Sequence, residues 1–420
     1  MTEPTATDTK TRAAAAIAEC RLIATMSEEA GRTTRRFLTP PVTKVHAHLR
    51  ARMAALGMSV RVDAVGNLRG LWQPASGTSK RFVLGSHIDT VPDAGAFDGV
   101  LGVVLALELV EMARVRSLPL AIEVIAFSEE EGVRFGVPFL GSRAVAGRFD
   151  PALLDLRDSA GVSVTESIRN FGLDPGEIDA ALLSDAATGF FEIHIEQGPV
   201  LEAEGLQLAV VTGIVGQTRC EVCFLGQANH AGTTPMAHRR DALTAAAEWI
   251  CAVEAAAKEH NSGRDEIIAT VGKIVAEPNA GNVIAGSVRV SLDVRSTRDS
   301  VREATVARLL DLAAAIAARR GLRCEAKRQM EQPAVPMDEQ LTAYLTEALE
   351  AADFPVRQMP SGAGHDAMVM ATRVPTAMLF LRSPGGISHH PAEAVREEDV
   401  ETALIVGDVF LRRLATIHTH

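Results

Sequence analysis

Two apolar runs separated by an apolar helical stretch place the strongest constraint on the fold of this chain. Residues 81–86 and 120–127 have the length and composition of buried strands, and residues 100–113 between them are long enough for a helix. Strand, helix and strand in this order form the unit of an α/β sheet. Further strand-like runs at 190–195 and 376–381 extend the sheet. The sequence therefore predicts an α/β fold.

A different pattern begins at about residue 213. The predicted order there is strand, helix, two strands, helix and strand, which is the ferredoxin-like arrangement βαββαβ. The segments concerned are residues 215–225, 241–260, 267–275, 287–293, 301–320 and 322–329. We therefore expect a catalytic domain of residues 1–212 and 330–420, interrupted by a smaller domain of residues 213–329.

Charge and composition argue against several classes of partner. The chain has 42 Lys and Arg against 53 Asp and Glu, a formal charge of -11, and no long basic run, so we expect neither nucleic acid nor membrane partners. No apolar stretch approaches the roughly 20 residues of a membrane span. Residues 1–22 do not have the pattern of a signal peptide, and five cysteines are few, which favours the cytoplasm.

Imidazoles and carboxylates follow the predicted strands. In open α/β sheets the ligand site lies beyond the carboxyl ends of the strands. The residues found there are His87, Asp89, Asp98, Glu129, Glu130, Glu131, His194, His389 and His390. Each alone could be an ordinary surface or loop residue, but their joint placement predicts a site for Zn²⁺ or Mn²⁺, which accept nitrogen and oxygen ligands.

The motifs around these residues resemble those of the hydantoinase/carbamoylase family of amidohydrolases, in that family's order and over nearly the whole chain. They include Gly-Ser-His-Ile-Asp-Thr at 85–90, Phe-Asp-Gly at 97–99, Glu-Glu-Gly-Val-Arg-Phe at 130–135, His-Ile-Glu-Gln-Gly-Pro at 194–199, Asn-His-Ala-Gly-Thr-Thr-Pro-Met at 229–236 and Gly-Ile-Ser-His at 386–389. The resemblance implies an α/β metallohydrolase domain with an inserted dimerisation domain, and hence a homodimer. It also implies two divalent metal ions per subunit, Mn²⁺ or Zn²⁺, with Co²⁺ or Ni²⁺ as alternatives.

The resemblance implies a ligand set for these two metals. His87 and His194 would each bind one of them, and Asp98 would bridge the pair. Glu131 would bind one metal and His389 the other. The physical logic agrees, because two metals about 3.5–4 Å apart lower the pKa of a shared water and polarise the carbonyl that it attacks.

The same resemblance implies that Glu130 is the general base, which takes a proton from water and returns it to the leaving nitrogen. Asp89 would orient the imidazole of His87 as a carboxylate behind the ligand. His390 departs from the family pattern and is the alternative to His389, which is preferred because it completes the motif.

Other residues are implied to contact the substrate. His230, in a loop of the smaller domain, would stabilise the tetrahedral oxyanion from the partner subunit, and the alternative is an ordinary turn histidine. Arg295 and Asn282 would hold the substrate carboxylate, a task that suits the planar fork of a guanidinium. The remaining residues with an implied substrate contact are Gln197, Gln217 and Gly364.

These features predict a two-metal amidohydrolase that cleaves a C–N bond of the ureido group in a small carboxylic acid. The segments 89–99 and 361–368 most resemble those of family members that act on allantoate, so the resemblance implies allantoate as the substrate, with release of ammonia. The alternatives within the family are N-carbamoyl-L-amino acids, ureidoglycolate and β-ureidopropionate. A metal-dependent aminopeptidase and a non-enzymatic binding module are alternatives of other classes. Arg295 with Asn282 argues against the first, and the complete set of ligands argues against the second.

Overall fold

The computed structural model describes residues 6–260 and 267–418. The chain divides into two compact units, Met1–Thr212 with Met337–His420 and Gly213–Pro336. The sequence predicts that the first unit resumes at residue 330, whereas the last long strand of the second unit continues to Gln332. Residues 1–5, where the segment 1–22 begins, lie outside the described residues, and so do residues 261–266 and 419–420.

Helices and strands alternate along the first part of the first unit. In chain order they are α1 (Ala6–Ala24), α2 (Pro40–Ala55), β1 (Ser59–Val62), β2 (Leu68–Trp72), β3 (Arg81–His87), α3 (Val100–Arg116), β4 (Ala121–Phe127), α4 (Leu140–Val145), α5 (Val164–Asn170), β5 (Ala187–Ile195), α6 (Val200–Glu204) and β6 (Leu208–Ile214). The predicted strands at 81–86, 120–127 and 190–195 are β3, β4 and β5. These strands are buried along most of their length, which explains why their sequences are continuously apolar rather than alternating.

The second unit is a sheet with two long helices. Its elements are β7 (Gly216–Leu225), β8 (Asn229–His230), α7 (Ala242–His260), β9 (Ile267–Thr270), β10 (Ile274–Glu277), β11 (Val283–Ile284), β12 (Ser287–Ser296), α8 (Asp299–Arg319), β13 (Arg323–Gln332) and β14 (Val335–Pro336). The sheet has the antiparallel order β10-β12-β7-β13, and β9 also pairs with β12. The strand predicted at 267–275 is therefore broken into β9 and β10.

The core of the second unit lies between its sheet and its helices. The indole N–H of Trp249 on α7 donates to the carbonyl of Leu309 on α8 at 2.8 Å, and its ring packs on Phe224 of β7. Burial alternates along β12, as expected for a strand with one face on a core.

The chain then returns to the first unit and completes its sheet. The returning elements are α9 (Glu339–Ala351), β15 (Gln358–Ser361), α10 (Asp366–Met370), β16 (Thr376–Leu381) and α11 (Glu397–His418). The strand order is β1-β2-β4-β3-β5-β16-β6, and the four central strands β4, β3, β5 and β16 are parallel. Their carboxyl ends therefore meet at one edge of the sheet, where the predicted ligands lie.

Among residues 6–260 and 267–418, no helix combines the length and apolarity that crossing a membrane requires.

Candidate metal centre

The parallel strands bring the five predicted metal ligands into one cluster. His87 ends β3 and His194 lies near the end of β5, while Glu131 follows β4 and His389 follows β16. Asp98 lies in the loop between β3 and α3. The side chains of these residues form two overlapping groups, each with three atoms that could bind one metal ion.

The carboxylate of Asp98 presents one oxygen to each group. Its Oδ1 lies 3.5 Å from Nε2 of His87 and 3.2 Å from Nε2 of His194. Its Oδ2 lies 3.3 Å from Nε2 of His389, which is 3.4 Å from Oε1 of Glu131. The cluster is therefore a pair of three-residue groups that share a single carboxylate.

These distances fit a metal ion within each group. Ligand atoms about 2.1 Å from a tetrahedral metal lie about 3.4 Å from one another. The three distances from Asp98 to the imidazoles and the distance from His389 to Glu131 range from 3.2 to 3.5 Å. In addition, Oδ1 of Asp98 and Nε2 of His194 are buried and make no hydrogen bond. An unsatisfied buried polar atom is costly, and a cation between the two atoms would remove that cost.

Hydrogen bonds on the other ring nitrogen fix the two buried imidazoles. Nδ1 of His87 bonds the backbone carbonyl of Asp89 at 3.0 Å, and Nδ1 of His194 bonds that of Ile195 at 2.9 Å. A carbonyl can only accept, so in the neutral ring the proton is on Nδ1 and the lone pair is on Nε2. Both rings thus present the lone pair that a metal ligand needs toward Asp98.

The pKa values of the carboxylates in the cluster depend on the charged side chains around them. Burial alone would raise the pKa of Asp98, but three facing imidazoles outweigh it and hold this pKa well below its ordinary value. Those imidazoles belong to His194, His389 and His87. For Glu131, burial and the charge of Asp98 raise the pKa to about 7, against the attraction of His87. A cation bound by Asp98, Glu131 and His389 would oppose this rise in pKa and favour the ionised carboxylate of Glu131.

The partition of ligands differs from the one that the resemblance implies. His87 and His194, expected on different metals, both face Oδ1 of Asp98, while Glu131 and His389, also expected apart, lie together at Oδ2. The reason is that β3 and β5 are adjacent parallel strands, so that the imidazoles at their ends lie side by side. Their ring centroids are 5.7 Å apart and the ring planes differ by only 28°.

The carboxylate of Asp89 positions the glutamate loop rather than the ring of His87. Its two oxygens accept the backbone N–H groups of Glu130 and Glu131, each at 3.0 Å. Its distance of 3.6 Å from Nδ1 of His87 is too long for a hydrogen bond. The backbone carbonyl of Asp89 takes that nitrogen instead, so the expected orienting role belongs to the main chain.

The three consecutive glutamates have three different environments. Glu129 has a φ of 51°, which bends the chain after β4, and its carboxylate accepts two backbone N–H groups at 3.0 and 2.9 Å. Glu130 extends into the cluster, with Oε2 4.0 Å from Nε2 of His87. Glu131 lies beside His389. One of its carboxylate oxygens also lies within 4.8 Å of ligand atoms of His87 and Glu130, so the chain after the bend brings both carboxylates to the cluster.

Gln197 and Ser388 add hydrogen bonds to the shared carboxylate. Nε2 of Gln197 donates to Oδ2 of Asp98 at 2.9 Å, and Oγ of Ser388 donates to the same oxygen at 3.0 Å. Gln197 thus contacts Asp98 in this structure. The substrate contact implied for Gln197 stays a prediction. His390 lies outside both groups, and its Nδ1 accepts the N–H of Ala392 at 3.1 Å.

In the second unit, Arg295 and Gln217 are cross-strand neighbours on β12 and β7. Both side chains donate to the carboxylate of Asp293. The distance is 2.6 Å from Nε2 of Gln217, and 3.1 and 3.2 Å from Nε and NH2 of Arg295. Arg219 donates to the same carboxylate at 3.0 Å. Asp293, which belongs to the motif Asp-Val-Arg at 293–295 but receives no role from the sequence, therefore fixes the orientation of the Arg295 fork.

His230 is exposed on the two-stranded antiparallel sheet formed by β8 and β11. Its Nδ1 accepts the N–H groups of Gly232 at 3.0 Å and Thr233 at 3.2 Å. The ring proton therefore lies on Nε2, where it can be donated to a ligand. Asn282 lies directly before β11, and its backbone carbonyl accepts the N–H of Ala231, directly after β8, at 2.9 Å.

Two glycines of the motifs are required by packing inside the first unit. Gly99 has a φ of 65°, and a β-carbon there would overlap the ring of His87. At Gly364 a β-carbon would lie 2.9 Å from Cζ of Phe139. The substrate contact implied for Gly364 therefore stays a prediction, since contact with Phe139 already explains the glycine.

A buried carboxylate near His194 was not found from the sequence. Glu192 on β5 accepts the hydroxyl of Ser86 at 2.7 Å and the N–H of Ala367 at 2.9 Å. It lies on the same face of the strand as His194, two residues away. The position of this charged residue inside the apolar run 190–195 was the sequence signal from which Glu192 could have been identified.

The sequence model of the family described as peptidase family M20/M25/M40 matches residues 83–412. An allantoate deiminase of Arabidopsis thaliana is 38% identical, over 92% of this chain and 80% of the relative. An N-carbamoyl-L-amino acid amidohydrolase of Geobacillus stearothermophilus is 36% identical, over 89% of this chain and 91% of the relative. A solved hydantoinase/carbamoylase family amidase from Burkholderia multivorans has a TM-score of 0.89 and 32% identity, covering 96% of this chain and 97% of that one.

Proposed function

Because the chain belongs to peptidase family M20/M25/M40 and to its hydantoinase/carbamoylase branch, we propose that it hydrolyses a C–N bond of the ureido group in a small carboxylic acid, with allantoate as the substrate. It is a metal-dependent hydrolase of C–N bonds other than peptide bonds. The observation that carries the proposal is the position of Asp98, which gives one oxygen to each of two ligand groups.

The proposed chemistry needs a base beside the two ligand groups. Two bound divalent ions would lower the pKa of a water molecule and polarise the carbonyl that it attacks. Glu130 is the candidate base. Burial raises its pKa well above the ordinary value, although the charge of His87 opposes the rise. A carboxyl group with a raised pKa can take the proton of the attacking water and deliver it to the nitrogen that leaves.

We propose that Arg295 holds the carboxylate of the substrate, with Gln217 and Asn282 beside it. The support is that Asp293 accepts from two nitrogens of the guanidinium and so fixes its orientation before a ligand arrives. A planar fork can hold a carboxylate with two parallel hydrogen bonds. Gln197 and Gly364 keep their proposed substrate contacts only if the substrate approaches the Asp98 cluster closely.

Arg295→Lys is expected to lower kcat/KM for a ureido acid about ten- to hundredfold, the value of a charge-assisted hydrogen bond. Lysine keeps the charge but loses the fork. The matched control is Arg219→Lys, which alters the other arginine on Asp293 and should retain nearly full activity. An uncharged amide analogue should be a poor substrate for the wild type and no worse for Arg295→Lys. Equal losses in both arginine variants would argue against the assignment.

We propose that the second unit is a ferredoxin-like dimerisation domain and that the enzyme is a homodimer. Its support is a set of apolar side chains, between 43% and 78% exposed, that a partner would cover. They are Met236, Leu243, Ile268 and Ile274. Ile274 begins β10, which is at the edge of the sheet and can pair with another chain. His230, with its free Nε2–H, is proposed to donate to the oxyanion in the partner's site.

Mixing two inactive variants, His230→Ala and Glu130→Gln, should therefore restore activity. A mixed dimer contains one site with both wild-type residues, so recovery should approach about a quarter of the wild-type rate per chain, since half of random dimers are mixed. Ammonia release after verified subunit exchange measures it. If exchange is complete and no activity returns, His230 does not act across the dimer.

A panel of substrates separates allantoate from its alternatives. Ammonia release should be fastest with allantoate and slower with N-carbamoyl-L-amino acids, ureidoglycolate and β-ureidopropionate. A preference for N-carbamoyl-L-amino acids would favour the second relative and replace the proposed substrate. Cleavage of dipeptides alone would reject the proposal in favour of an aminopeptidase. We propose Mn²⁺ or Zn²⁺ as the metals, with Co²⁺ or Ni²⁺ as alternatives. We also propose a cytoplasmic location. All five cysteines are free thiols, as expected there.

A further inference from the structure

The carboxylate of Glu393 holds the backbone of the shared ligand Asp98. Oε1 of Glu393 accepts the N–H of Phe97 at 2.9 Å and that of Asp98 at 3.0 Å. Glu393 is only 5% exposed, so these bonds are shielded from water. One buried oxygen therefore fixes two consecutive peptide groups, 295 and 296 residues away in the sequence.

Glu393 belongs to the same short segment as the ligand His389. Ser388 and His389 approach Oδ2 of Asp98 at 3.0 and 3.3 Å, while Glu393 takes the backbone N–H of the same residue. A turn between them, in which the N–H of Glu393 donates to the carbonyl of His390 at 3.0 Å, keeps the segment compact. The segment 388–393 thus holds Asp98 at both its side chain and its main chain.

Gly95 provides the space that Glu393 occupies. A β-carbon at Gly95 would overlap Cβ and Oε1 of Glu393. The φ of Gly95 is not in the left-handed region, and the three atoms nearest to such a β-carbon all belong to Glu393. This close approach indicates that the glutamate is fitted to the loop that carries Asp98.

We propose that Glu393 is a positioning residue, which sets the peptide before Asp98 so that each carboxylate oxygen faces its own group of metal ligands. The inference rests on the proposed role of Asp98 as a metal bridge. Glu393 belongs to none of the candidate ligand groups; its Oε1 accepts two backbone N–H groups, and its Oε2 is buried without a hydrogen bond. Its effect on metal affinity is indirect, like that of residues in other metal proteins that hydrogen-bond to a metal-binding residue and orient it.

The test is titration of the metal-free full-length protein with Mn²⁺, without substrate. Glu393→Ala should weaken Mn²⁺ binding about 10- to 100-fold, the usual effect of removing an outer residue. Glu393→Gln keeps an acceptor oxygen and should bind Mn²⁺ within about threefold of the wild type. Gly95→Ala should reproduce the loss by displacing an intact glutamate. EPR of the Mn²⁺-loaded proteins should show weaker coupling between the two ions in Glu393→Ala and Gly95→Ala only.

Asp338→Ala provides a control for general destabilisation. Asp338 caps α9 by accepting the N–H of Leu341 at 2.9 Å, so its loss should lower Tm and leave Mn²⁺ affinity unchanged. Equal losses in Glu393→Ala and Glu393→Gln would show that charge acts rather than position, and would overturn the proposal. Wild-type binding by Glu393→Ala, or a comparable loss in Asp338→Ala, would also overturn it. Because no substrate is present, a wrong substrate assignment cannot produce any of these results.

Discussion

Asp98→Ala should bind neither metal tightly and should lose amidohydrolase activity to background. The alanine removes the one carboxylate that faces His87, His194 and His389 together, so the two groups around Asp98 lose their shared member. The loss of metal affinity should exceed the roughly 10- to 100-fold typical of residues outside the ligand set. Metal analysis after gel filtration, together with ammonia release, measures both effects.

The matched control for this variant is Asp408→Ala. Asp408 is as buried as Asp98, at 4% exposure, and its carboxylate binds Arg116 at 2.9 Å, outside both ligand groups. Its loss should lower Tm while the metal content stays that of the wild type. An Asp98→Ala protein that retained both metals would show that the two ligand groups do not depend on a shared carboxylate.

Glu130→Gln should lower turnover about 10²- to 10⁴-fold with metal content nearly intact, because the amide keeps the shape of the side chain but cannot take a proton. Neighbouring substitutions offer unusually close controls. Glu131→Gln should lose metal from the group that contains His389. Glu129→Gln should mainly lower stability, by about 1–3 kcal/mol, because one of its two backbone N–H partners loses an acceptor.

Kinetics and metal analysis of all three glutamine variants distinguish these roles. If Glu131→Gln kept its metals and lost turnover while Glu130→Gln lost metal, base and ligand would have to be exchanged. The comparison is needed because both side chains reach the same cluster, where carboxylate oxygens of Glu130 and Glu131 lie within 4.8 Å of each other and of His87.

The fold of the central sheet could be predicted because its information is local. The apolar runs that became β3, β4 and β5 are buried on both faces, and such strands have a recognisable composition. The break between β9 and β10 falls at residues 271–273, and Gly272 inside the apolar run was a signal for it that the sequence analysis did not use.

The candidate site was predictable in its residues but not in its arrangement. His87 and His194 were found because they end apolar strands, but their position at the same oxygen of Asp98 depends on which strands are neighbours. Glu393 was missed because it acts through backbone N–H groups, which leave no side-chain pattern in the sequence. The sequence motifs predicted that Asp89 orients His87, but its carboxylate accepts the backbone N–H groups of Glu130 and Glu131, and such contacts also leave no side-chain pattern in the sequence.

The most direct measurement of the central claim is ammonia release from allantoate by protein stripped of metal with a chelator and then reconstituted stepwise with Mn²⁺ or Zn²⁺. The metal content of each sample is determined in parallel. The two ligand groups around Asp98 predict no activity in the stripped protein and full recovery only as the metal content approaches two ions per chain. Full activity in a metal-free sample, or recovery complete at one ion per chain, would contradict a two-metal site.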